Sequence, residues 1–300
     1  MPSVPNPPTL SKTSYGKSRI RLVQVSRRGD PSTSSGSSRA ESRGDRHDLH
    51  DLTVAVGFEG DYDTSYTDGD NRDVLPTDTM KNTVYALAAR DGAAEPEAFG
   101  MRLGRHFIGR NPKLARVVVD LVDHAWHHIA DGPREHGQAF VRRGPDTRTA
   151  RVVTDRRGAA VTAGIADLVI MKTSRSAFAG YPRDEFTTLP ETHDRLLATA
   201  LTTDWTYRDA DVDFGAVYRA VRATLLDAFA RHDSLSVQHT LYAMGQVVLD
   251  TIDAVASITL DMPNRHHLAV DLTRFGMDNR NEIFVATEEP HGLITATLSR

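Results

Sequence analysis

Two histidines stand side by side in "MPNRHHLAVDL", residues 262–272, within a chain of 300 residues that contains no cysteine. An imidazole titrates near neutrality, so either histidine can move a proton or ligate a metal. Successive side chains of a strand point to opposite faces, so one of His266 and His267 is expected to face a site and the other to face away from it. A second grouping, "DHAWHH", puts His124 and His128 at the i, i+4 spacing of one helix face, with Asp120 a turn earlier. A solvated helix face explains that spacing equally. Without cysteine there are no disulfides, thiolate nucleophiles or Cys-containing zinc sites, which leaves only His and carboxylates as metal ligands.

Three other stretches carry reactive groups. In "YGKSRIRL" Lys17 heads a strand, where it is either a solvated edge charge or an amine whose pKa burial can tune. In "PTDTMKN" Thr77 or Asp78 caps a helix whose first-turn N–H groups are open to an anion. In "TTLPETHDR" Thr188 and Glu191 have capping-box spacing, which leaves Arg195 unexplained, and its planar guanidinium suits an anion clamp.

These residues need a scaffold. Alternating patterns at 18–25 and 51–60 predict a hairpin, and the Ser-, Gly- and charge-rich stretch 29–46 between them reads as a mobile loop insertion. Residues 1–13 read as a disordered tail. Helical spacing is expected over 111–132, 211–234 and 236–255, the last capped by Ser236. Strand patterns occupy most of the remainder. Hairpins with segregated helices imply an α+β fold with antiparallel sheets. The similar stretches "LPTDTMKNTVYALA" and "LPETHDRLLATA" suggest two related halves, 14–150 and 151–300.

A formal net charge of −4 and 25% charged residues argue against a nucleic-acid or membrane-surface partner, which would call for a clustered basic excess. No apolar run reaches the roughly 20 residues that span a bilayer, and the opening lacks the features of a signal peptide, so a cytoplasmic protein is expected.

In order along the chain, "YGKSRIRLVQV", "SYTDGDNRDVLPTDTMKNTVYALA", "FAGYPRDEFTTLPETHDRLLAT", "SVQHTLYAMG" and "MPNRHHLAVDLTRFGMDNRNEIFVATEEPHGLI" resemble the urate oxidase (uricase) family, from about residue 14 to the end. The resemblance implies two tandem T-fold units, antiparallel sheets backed by helices, in a tunnel-forming homotetramer with active sites at subunit interfaces. It implies oxidation of urate by O₂ and water to 5-hydroxyisourate and hydrogen peroxide, without metal or organic cofactor.

Roles carry over by position. Arg195 and Gln238 resemble the pair that grips the urate anion, Val237 offers backbone contact, and Phe178 stacks on the purine. Thr77 and Asp78 resemble the "TD" segment supplied by a neighbouring chain. Lys17, Thr77 and His266 resemble the proton relay, and Asn264, with Thr77, the place where dioxygen or water is held. His267 is then structural. Arg265 stands where many relatives carry lysine, and the ending "TLSR" lacks the peroxisomal signal of animal and fungal members, which favours a bacterial cytoplasmic enzyme. The competing readings are a zinc-dependent T-fold hydrolase of purines or pterins and a purine-binding tunnel protein without turnover.

Overall fold

A computed structural model of the chain describes residues 9–27, 46–142 and 144–300. The expected tail over 1–13 and insertion over 29–46 lie for the most part outside these residues. Two compact units are present: residues 1–142 with 150–161, and residues 143–149 with 162–300.

In the first unit β1 (Tyr15–Arg27), β2 (His47–Gly60), β3 (Leu114–Asp123) and β6 (Thr147–Thr154) are neighbours in that order. β1–β2 and β2–β3 are antiparallel. Period-2 alternation turns Ile20, Leu22, Leu52, Val54, Val56, Phe58, Val117, Val119 and Leu121 to one buried face. Against it lie α2 (Thr77–Asp91), through Met80, Val84 and Leu87, and α3 (Pro96–Arg110), through Phe99, Leu103 and Phe107. A short helix α1 (Asp63–Thr67) and a separate pair, β4 (Trp126–Asp131) with β5 (Arg134–Arg142), complete the unit.

In the second unit β7 (Ala159–Lys172), β8 (Leu197–Tyr207), β9 (Val255–Ala269) and β10 (Phe284–Ser299) follow one another as antiparallel neighbours. Helices α4 (Phe214–Arg231) and α5 (Val237–Thr251) supply Val221, Leu225, Phe229, Leu241, Met244 and Val248 to a core that includes Trp205, Ile258 and Leu260. The fold is α+β, with antiparallel strands backed by helices.

The stretch 111–132 corrects the helix expected there. It forms β3 and β4, because a run of β-branched valines disfavours a helix and suits a strand. Val117, Val119 and Leu121 are buried while the residues between them are not, which is period 2. The coincidence of Leu114, Val117, Val118 and Leu121 with helical spacing misled the sequence reading. "TTLPETHDR" forms no helix either; the Glu191 carboxylate instead accepts the Gly180 N–H at 3.0 Å. At α2 the cap position belongs to Pro76, and Thr77 is the first helical residue. Ser236 caps α5 as expected, its side chain accepting the His239 N–H at 3.1 Å.

Helix α3 was not foreseen. It packs closely enough on β6 that a Cβ on Gly104 would sit 2.1 Å from Thr154 Oγ1 and 2.8 Å from Thr154 Cβ. Alanine gains about 1 kcal/mol over glycine in helix propensity, but overpacking typically costs about 1–3 kcal/mol and this contact is at the severe end. Gly104→Ala is therefore expected to destabilise the protein by about 2 kcal/mol, measured as a fall in denaturant midpoint at constant m-value.

Candidate active site

The chemistry-bearing residues fall into two groups, one in each unit. In the first, Gly16 precedes Lys17 at the head of β1, and a Cβ there would meet the Val56 carbonyl oxygen at 2.1 Å. Only glycine allows β1 to approach β2 so closely beside the lysine. Beyond Lys17 the pairing register shifts before Ile20, a bulge that re-aims side chains. The Tyr15 hydroxyl accepts the Leu75 N–H at 3.0 Å, tying the strand head to the residues that lead into α2. Burial pushes the Tyr15 phenol up, and the Leu75 N–H bond acts the opposite way.

Thr77 is half-buried at the first turn of α2, and Asp78 is exposed. The Asp78 carboxylate accepts from Lys81 Nζ at 2.5 Å and Asn82 Nδ2 at 2.9 Å. The Lys81 contact holds its carboxyl below the usual carboxylate range, followed by Asn82 and, at longer range, by the charge of Lys17. Thr77 and Asp78 thus stand at one helix N-terminus, where unpaired N–H groups favour anions, and the charge of Lys17 reaches Asp78.

In the second unit a cavity of about 230 Å³ is lined by Phe178, Arg195, Asn264 and His266, among others. That is below the roughly 300 Å³ at which drug-sized pockets begin, and suits a compact planar ligand. Non-local backbone bonds position its walls. Phe178 and Thr192 exchange N–H···O bonds of 2.7 and 3.1 Å, and the Arg195 N–H donates to Ser176 O at 2.8 Å. Phe178 stacks on Tyr181, with centroids 4.9 Å apart and planes 17° from parallel. The Arg195 guanidinium carbon lies 5.4 Å from the Phe178 ring centroid. Burial pulls its pKa down, and its buried Nε has no hydrogen-bond partner. A desolvated cation with an open donor is poised for an anion.

Asn264 and His266 reach this cavity from β9. Asn264 faces Thr199 on β8 and Gly292 on β10, while His266 faces Thr287. Residues 288–291 therefore bulge out opposite Arg265, where bulges commonly re-aim functional side chains. Thr287 Oγ1 donates to His266 O at 3.2 Å, which anchors that backbone. Both His266 and His267 line the cavity, so strand alternation does not separate them as expected. His267 Nδ1 is 3.1 Å from Arg265 O, a bond within its own strand.

Val237 is buried and Gln238 exposed at the start of α5, and neither lines the cavity. They connect to it through Ser234, whose O accepts the Ala177 N–H at 2.7 Å and whose N–H donates to Arg175 O at 3.0 Å. Sequence reading missed Tyr181, Thr192 and Asp194. Only "FAGY" offered a signal, an aromatic three residues beyond Phe178.

His124 and His128 do not converge. His124 bonds Thr53 Oγ1 and Arg142 at 2.8 Å each, whereas His128 bonds His136 O at 2.8 Å and packs on Phe140. Asp120 pairs with Arg151 at 2.6 Å. Among the described residues no three of His, Asp and Glu are placed to hold a metal ion, and no helix is long and apolar enough to cross a membrane.

A sequence model of the family described as Uricase matches residues 13–153 and 161–295. The uricase of Arthrobacter globiformis is 42% identical over 291 residues, covering 97% of this chain and 90% of that protein. The uricase of Dictyostelium discoideum is 33% identical, covering 97% and 98%. The crystal structure of the Arthrobacter globiformis uricase superposes with a TM-score of 0.89 at 41% identity, covering 98% of this chain and 96% of that one. With the likeness in sequence and fold running almost end to end, this chain belongs to the uricase family.

Proposed function

We propose that the chain oxidises urate with O₂ and water to 5-hydroxyisourate and hydrogen peroxide, the substrate itself supplying the electrons. The observation that carries this reading is the cavity where the half-buried Arg195, with an unpartnered Nε, meets Phe178, Asn264 and His266, in a chain of this family. Arg195 pairs with the urate anion through its planar donors, and Gln238 reads the adjoining amide edge with the Val237 backbone. Phe178 stacks on the purine plane. Two electrons leave the purine for O₂, which takes up one proton from the purine and one from the attacking water and departs as hydrogen peroxide. The hydroxyl of a water molecule bonds to C5, and its other proton leaves through the relay of Lys17, Thr77 and His266. Asn264 holds O₂ or water above the ring through its amide. Stabilising the electron-rich anion by fixed donors in a partly desolvated site is the main task of the protein.

In ¹⁸O-labelled water under unlabelled O₂, the label is expected in the 5-hydroxyl and not in the peroxide. Label from ¹⁸O₂ in the hydroxyl would show a monooxygenase-like insertion and contradict the scheme.

The working unit in this reading is a cytoplasmic homotetramer of tandem T-fold domains over 14–150 and 151–300, with the Thr77–Asp78 segment of one chain completing the site of a neighbour. The half-buried Thr77 and exposed Asp78 at a helix N-terminus support it. Mixing Thr77→Ala and Arg195→Ala chains by co-refolding is expected to regenerate activity that neither possesses alone, because some sites then receive both intact halves. Equal inactivity of the mixture would place each site within one chain.

A further inference from the structure

The turn that leads into Val237 and Gln238 is closed by a titratable acceptor. His239 Nδ1 receives the Leu235 N–H at 3.4 Å and faces His232 Nε2 at 3.2 Å, the two rings lying 4.3 Å apart between centroids. An N–H donor aimed at Nδ1 leaves that nitrogen its lone pair, so His239 is the neutral Nε2–H tautomer and His232 donates from Nε2. The same residue is held on its backbone side by the Ser236 cap. Ser234 Oγ donates to Ser236 O at 3.0 Å, and Ser234 is bonded in turn to Arg175 and Ala177. Of the two imidazoles in this chain, only His239 uses a ring nitrogen as an acceptor, so only there does an added proton remove a bond.

We propose that His239, with His232 as its donor, is a positioning residue that holds the Val237–Gln238 segment in its urate-gripping conformation, and that protonating Nδ1 releases it. This rests on the urate reading above. A proton on Nδ1 replaces the acceptor by a donor facing two donors, so the turn loses both bonds and gains a repulsive contact. The surroundings favour a neutral His232 as the donor. Burial holds His232 below the ordinary histidine range, with His239, Lys172 and Arg175 pushing the same way and Asp233 opposing. Lys172, on β7, donates to the carbonyls of Phe229 and His232. Arg175 pairs with Asp233 and donates to Arg231 O.

The test is anaerobic urate binding by the full-length protein, with KM and kcat measured in parallel in air, from about pH 8.5 to 6. Wild type is expected to lose about tenfold in affinity across that range. His239→Ala should bind about tenfold more weakly already at the upper end, with kcat changed less than about twofold and the pH slope abolished. His239→Asn places an amide oxygen close to the lost Nδ1, so it should rescue most of the affinity while staying flat with pH. A wild-type slope in His239→Asn, or His239→Ala binding within about twofold of wild type throughout, would overturn the proposal. A wild type that binds no urate at any pH would overturn the urate reading, and this inference with it.

Discussion

Arg195→Ala is expected to weaken urate binding by about two orders of magnitude, or about 3 kcal/mol, since removing one partner of a partly desolvated charge pair commonly costs 2–5 kcal/mol. Arg195 is half-buried, its Nε has no protein partner, and the Phe178 ring lies beside its guanidinium. A cation held this way has lost water without gaining a carboxylate, and the anionic substrate restores the balance. Arg195→Lys should recover little, because an ammonium cannot offer two coplanar donors to one edge of a purine. The measurement is urate affinity under anaerobic conditions, where binding is separated from turnover. Near-normal affinity in Arg195→Ala would remove this residue from the substrate site.

Lys17→Met is expected to separate the two quantities differently. It should lower kcat by about 10²–10⁴-fold, the usual contribution of a positioned acid or base, with urate affinity changed less than about threefold. Methionine keeps the length and apolar stem of lysine but cannot carry a proton. The head of β1 is set by Gly16, the register shift and the Tyr15–Leu75 contact, none of which uses the Lys17 amine. Equal losses in kcat and affinity would show that the lysine supports structure rather than proton transfer.

Legibility in the sequence varied with the range of the interactions that decide each feature. Helices α4 and α5 were legible because their apolar spacing, and the Ser236 cap in α5, are local. The stretch 111–132 was not, since Leu114, Val117, Val118 and Leu121 fit both periods; the burial of Val119 by packing against the helices decides for a strand. Helix α3 has apolar residues at Phe99, Leu103 and Phe107, but Gly100 and Gly104 between them dilute the helical signal. Those glycines serve β6, which is about 50 residues away in sequence.

The candidate site divides in the same manner. Lys17, Thr77, Arg195 and His266 stood out singly by residue type and place; motifs that resemble one family in order joined them and added Asn264, which no composition or periodicity would have done. Their geometry depends on non-local bonds. Phe178 reaches the cavity because it pairs with Thr192, and Asn264 and His266 are displaced in register by the bulge at 288–291. Neither pairing has a local signature. The Thr188–Glu191 spacing shows the converse failure, a local motif with no helix behind it, because Glu191 bonds the Gly180 N–H instead.

The proposed oxidation of urate by O₂ requires no added cofactor. The most direct test treats the purified protein exhaustively with a chelator, adds urate in air, and follows the loss of its near-ultraviolet absorbance together with hydrogen peroxide, beside an anaerobic control. Oxygen-dependent loss of urate with one peroxide released for each urate consumed is the predicted result. Loss of activity on chelation that returns with added metal, or urate binding without any turnover in oxygen, would contradict the account.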